Sequence, residues 1–131
     1  MAVDPFTYES SWILDTGARV LRNYDQANVR VGFLSTSDAA EARRFLGDLA
    51  DEFQVFVDPA RTLTKSAGLG RLPSLLYIRQ SGQLASAAEG WDPQEWAETL
   101  DLMEQDLAWL SRLQLPAPSD PAPYMGSEAL A

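Results

Sequence analysis

Val57-Asp58-Pro59, followed downstream by Leu72-Pro73-Ser74, the apolar run Leu75-Leu76-Tyr77-Ile78 and the turn pair Ser81-Gly82, is the stretch whose reading decides the fold. Gln54 to Val57 reads as a strand. Asp58-Pro59 stops it, because proline has no amide hydrogen to give a ladder and restricts the residue before it. Ala60 to Ala67 then reads as a short helix that ends at Gly68, a residue suited to a left-handed cap. Past Pro73, Ser74 to Arg79 and Gln83 to Ala88 flank Ser81-Gly82 and predict an antiparallel hairpin.

On the N-terminal side, Val29-Arg30-Val31-Gly32-Phe33-Leu34 is short, β-branched and nearly continuous in apolarity, which predicts a strand inside a mixed sheet. It runs into Ser35-Thr36-Ser37. A helix is expected from Asp38, whose carboxylate can take the free amides of the first turn, with Glu41 completing a capping-box pattern. Its inner face would be Ala42, Phe45, Leu46, Leu49 and Phe53. Trp12, Ile13, Ala18, Val20, Leu21 and Tyr24 mark a first helix over 8–24, interrupted by Gly17. On the C-terminal side, Asp92-Pro93-Gln94-Glu95 is a strong helix start, and Trp96, Leu100, Met103, Leu107 and Leu110 form the stripe that follows it.

The ends read differently. Residues 116–131 begin with Pro116-Ala117-Pro118-Ser119-Asp120-Pro121-Ala122-Pro123 and predict a flexible, extended tail. Residues 1–7 contain Asp4-Pro5-Phe6-Thr7, a pattern similar to a directional cloning scar. The expected domain therefore spans 8–115.

With 131 residues, 46% of them hydrophobic, the chain suffices for one substantial core. The formal charge of −9 repels phosphate backbones and anionic lipid, which argues against nucleic acid as a partner. Of the ten basic residues, Lys65 alone is lysine. No apolar run is long enough to span a bilayer and no secretory signal opens the chain, so no membrane insertion and a cytoplasmic location are expected. Cysteine and histidine are both absent. That excludes thiol redox chemistry, histidine catalysis and zinc sites, and leaves neither a metal nor a cofactor to be expected.

The order of elements resembles the thioredoxin family across residues 10–113. Asp58 matches the end of that family's strand, Gly68 the glycine before its loop, Pro73 its cis-proline and Gly90 the glycine before its last helix. The resemblance implies a three-layer α/β fold with a central mixed sheet of about four strands flanked by helices, and cis-Pro73 ahead of a C-terminal hairpin and helix. The family's paired cysteines would fall near Thr36 and Ala39, and its buried aspartate at Gly32, so the redox machinery is missing. The chain is also similar in length, acidity and the Leu72-Pro73 feature to the cysteine-free thioredoxin-like chaperones that assist maturation of nickel-iron hydrogenases.

By this resemblance Leu72, Pro73 and Ser74 present a strand edge to an extended peptide of another protein, Ser74 donating through its backbone. Thr36, Ser37 and Asp38 lie at the neighbouring helix start, where free amides can hold an anion or Ser37 and Asp38 can simply cap the helix. Trp91 is either an exposed interface anchor or packing for the last helix. The leading expectation is a non-catalytic protein-binding module, an assembly chaperone or a complex subunit. Two others stand beside it. One is a small-thiol module that activates glutathione with Thr36 or Ser37. The other is a homo-oligomer joined through the tail and Trp91 or Trp109.

Overall fold

The computed structural model describes residues 1–110 and 113–130. Ser111, Arg112 and Ala131, which fall within the spans expected for the domain and the tail, lie outside the described residues. The chain runs β1 (Ala2–Val3), α1 (Tyr8–Trp12), α2 (Leu14–Asn23), β2 (Gly32–Ser35), α3 (Ala39–Leu46), α4 (Leu49–Glu52), β3 (Gln54–Val57) and α5 (Thr62–Ser66). It continues through β4 (Arg71–Leu72), β5 (Ser74–Ile78), β6 (Leu84–Glu89), α6 (Pro93–Leu107) and β7 (Ser127–Glu128).

The local chemistry behaves as the residue types demand. The Asp38 carboxylate accepts the Glu41 amide at 2.9 Å and starts α3. Asp92 accepts the amides of Gln94 and Glu95 and starts α6, with Pro93 in its first turn. Gly47, with φ of +58°, divides the helix expected from Asp38 into α3 and α4. The first helix is likewise two segments, with Ile13 between them. Gly17 sits in α2 because the Met1 side chain lies on it: a Cβ there would come within 2.7 Å of the Met1 methyl. Leu110, placed on the α6 stripe by spacing, falls beyond the end of the helix and is 95% exposed.

Five strands form the main sheet, in the order β3-β2-β1-β5-β6. β2 runs parallel to β3 with Phe33 opposite Val55, and β5 pairs antiparallel with β6 with Ser74 opposite Glu89. Between these two halves lies β1, parallel to β2 and antiparallel to β5. So residues 1–7 are not an appendage: Ala2 and Val3 are fully buried at the centre of the sheet, a fifth strand beyond the four expected. Side chains alternate across it. Val3, Phe33, Leu75 and Tyr77 join Val20, Leu21, Leu46, Trp96 and Leu100 in the principal core, while Ala2, Leu69, Leu72 and Ala129 make a small second cluster.

The segment expected as a flexible tail is also part of the fold. Asp120 accepts from Thr16 at 2.8 Å and pairs with Arg19 at 2.7 Å, β7 pairs antiparallel with β4, and Trp91 and Tyr124 exchange backbone hydrogen bonds.

Asp58 stops β3 and organises α5. Its carboxylate accepts from the Leu63 amide at 3.2 Å, the Thr64 amide at 2.9 Å and the Thr64 hydroxyl at 2.8 Å. Burial opposes the charge, but the bonds from Thr64 and Leu63 outweigh it and hold the carboxyl below its usual value of 3.8. A folded-state value below the unfolded one adds stability that is present above pH 3.8 and is lost as pH falls through the folded value. Asp58→Asn is therefore expected to be less stable at neutral pH and to show a shallower acid loss. Urea midpoints from pH 2 to 7 check this, and parallel pH profiles for the two chains would contradict it.

Candidate strand-docking site

Three short segments converge on Pro73. β4 leads into it, β5 leaves it, and Gly90 donates its amide to the Pro73 carbonyl at 2.7 Å. The Leu72–Pro73 peptide bond is cis. Leu72, Pro73 and Ser74 are all buried. Ser74, expected to donate to an incoming peptide, instead pairs with Ala2 on one side and Glu89 on the other, and its hydroxyl donates to the Arg71 carbonyl at 2.6 Å. Beside Pro73, the edge that takes an extended segment is therefore β4 and not β5. It is taken by β7, with Arg71 opposite Glu128 and Leu72 opposite Ser127.

Gly90 and several residues that the sequence does not single out hold this contact. Gly90 and Gly126 have φ of +71° and +86° and lie against one another, a Cβ on Gly126 falling 3.4 Å from the Gly90 Cα. That Cβ would also lie 2.4 Å from the Leu72 carbonyl oxygen, so only glycine lets the two backbones meet. Ala129, 1% exposed, fills the small cluster with Ala2, Leu69 and Leu72, and its amide donates to the Gly70 carbonyl at 3.1 Å. Arg61 donates to the Ala129 carbonyl and pairs with the buried Asp4 at 2.9 Å. Arg61 holds a left-handed conformation at φ of 59°, which a non-glycine residue adopts only when its surroundings enforce it. The Glu89 carboxylate accepts the amides of Gly70 and Arg71. Gly90 is marked by the resemblance; the others carry no local sequence signal, because their roles depend on contacts between distant segments.

Trp91 is a core residue and not an exposed anchor. Its side chain is fully buried, meets Trp96 edge to face at 4.8 Å, and donates Nε1–H to the Pro121 carbonyl at 2.7 Å. Tyr124 lies edge-on to Trp12 at 5.4 Å and donates its hydroxyl to the Glu9 carbonyl. Burial first, and the Glu9 charge second, push the Tyr124 phenol well above its ordinary pKa.

The 35–38 corner does not join the β4 edge. β1 runs between β2 and β5, so Thr36, Ser37 and Asp38 stand on one side of it and Leu72, Pro73 and Ser74 on the other. Thr36 and Ser37 are 3% and 4% exposed. The Ser37 hydroxyl bonds to that of Ser35 at 2.8 Å and to the Asp38 carbonyl, and the Thr36 hydroxyl donates to the Val3 carbonyl. These hydroxyls are spent inside the protein, and Asp38 caps its own helix. An apolar pocket of about 630 Å³ opens between β2 and β5 beyond Met1, with Val20, Tyr24, Phe33, Leu76 and Met103 in its wall. Among the described residues no group of acidic side chains could hold a metal, and no helix is long and apolar enough to cross a membrane.

No protein-family model matches the chain, and no curated protein does. A solved structure does: the crystal structure of a Chlorobium tepidum protein assigned as the thiol:disulfide interchange protein DsbE. The two share 19% sequence identity with a TM-score of 0.61, over 82% of this chain and 74% of that one. The five-stranded mixed sheet, its flanking helices and this likeness together make the architecture a thioredoxin-like fold, built here without a single cysteine.

Proposed function

We propose that this protein is a non-redox, non-catalytic thioredoxin-like module that binds an extended segment of another protein along β4, as an assembly chaperone or complex subunit. The observation that carries the reading is the pairing of Arg71-Leu72 with Ser127-Glu128: the backbone beside Pro73 accepts an extended strand in antiparallel register. Main-chain hydrogen bonds of this kind supply affinity, and small pockets for alternate side chains supply specificity. The absence of cysteine and histidine removes the chemistry of the fold's redox members while leaving this edge intact. The length, acidity and Leu72-Pro73 feature, by which the sequence resembles the hydrogenase-maturation chaperones, favour a client that is itself being assembled.

The chain's lack of cysteine permits a clean test. Arg71 and Glu128 face each other across the β4–β7 pair, so Arg71→Cys combined with Glu128→Cys can weld the edge shut on oxidation. Affinity capture from the source cell with the wild-type chain is expected to recover one partner reproducibly. The oxidised double variant should lose it and regain it on reduction. Undiminished recovery with the edge welded would place the contact elsewhere and overturn the reading.

A further inference from the structure

We infer that residues 124–129 are a built-in, displaceable occupant of the β4 edge, which holds it closed until a strand of like composition replaces them. This rests on the strand-binding reading above and deepens it by naming what the edge selects. The occupant is a template. Where its backbone crosses Leu72 it must be glycine, since a Cβ at Gly126 would lie 2.4 Å from the Leu72 carbonyl oxygen. Three residues on, the side chain must be small, because Ala129 sits buried against Ala2, Leu69 and Leu72. The carbonyl at that position meets the Arg61 guanidinium, which Asp4 holds from behind. Between these points the half-buried Ser127 donates its hydroxyl to the Leu72 carbonyl at 3.3 Å and Glu128 faces water, and on either side Met125 and Leu130 are 73% and 52% exposed. The edge therefore fits an extended segment of the pattern Gly-x-x-Ala, with little demand on the intervening residues.

The segment's attachment divides into two parts. Its root is fixed by Asp120 on Thr16 and Arg19 and by the Pro121 carbonyl on Trp91. The outer part rests on two ladder pairs, one bridge between Trp91 and Tyr124, the Tyr124 side chain and the seat of Ala129. A unit with so few buried groups belongs to the low-stability end of a native structure and opens without the rest. Tethering gives it a high effective concentration, of order millimolar for a short linker, so an outside strand competes poorly until the segment is unseated.

The probe is a labelled peptide of the chain's own residues 121–130, titrated by fluorescence anisotropy into full-length proteins. Gly126→Val unseats the segment by steric clash and positive φ, and Ala129→Glu does so by placing a charge in the small cluster; both leave the root in place. Proteolysis and amide exchange across 124–130 read the unseating directly. Both variants should bind the peptide at least tenfold more tightly than wild type, and a peptide carrying the Gly126→Val change should bind neither. Equal affinity for wild type and variants would overturn the gating while leaving the strand-binding reading in place. Unseated variants that bind no peptide would overturn both. Segments that stay protected in both variants would overturn the inference by showing that Gly126 and Ala129 do not govern seating.

Discussion

Removing residues 1–7 is expected to abolish cooperative folding. Ala2 and Val3 are fully buried between β2 and β5, and full burial of a valine alone is worth about 1.5–3 kcal/mol. The larger loss is in the backbone. The Leu34 amide donates to the Met1 carbonyl at 2.8 Å and the Thr36 amide to the Val3 carbonyl at 3.1 Å, and each buried donor left unpaired costs about 1–3 kcal/mol. Asp4 leaves with the segment and strands Arg61, while β2 and β5 lose the strand that joins them. Together these approach the whole stability of a small domain, about 5–15 kcal/mol. Circular dichroism melts of the shortened chain should show no sigmoidal transition. A melt matching that of the full chain would mean that the seven residues are dispensable.

The second large effect is expected at Trp91. Truncation to alanine leaves a cavity beside Trp96 and strips the Pro121 carbonyl of its donor, for a cost of about 3–5 kcal/mol. For a chain of this size that corresponds to a fall in melting temperature of roughly 10–20 °C. Trp91→Phe keeps an aromatic ring and gives up the Nε1 hydrogen bond, so its cost should be nearer 1 kcal/mol. Urea unfolding of the three chains separates the terms. An exposed interface anchor would behave in the opposite way: its alanine variant would melt like wild type and fail only in binding.

What could be read in the sequence was whatever local pattern determines. The Asp38 and Asp92 caps, the strand stopped at Asp58, the positive φ at Gly68 and the hairpin around Gly82 all rest on near neighbours, and the structure shows each of them. β1 and β7 have two residues each, too few for any periodicity, and exist only because distant backbone offers them partners. Composition alone made 116–131 look unpacked, since its proline content hid the value of single well-placed groups such as Asp120, Tyr124 and Ala129. At the candidate site, spacing put Leu72-Pro73-Ser74 where β5 begins, as the structure has it, but gave no sign that all three would be buried. Arg61 and Asp4 escaped because a left-handed arginine and a buried ion pair across the chain leave no trace in spacing.

With β3 outermost in the sheet, one rim of the molecule is an open row of amides and carbonyls flanked by the exposed Phe56 and Val57. Such a rim invites ladder growth from one copy to the next. Mutual repulsion from nine surplus negative charges keeps copies apart in dilute neutral buffer. Concentrated salt, or acidification toward pH 4.3, removes that barrier, and the protein should then precipitate while still folded.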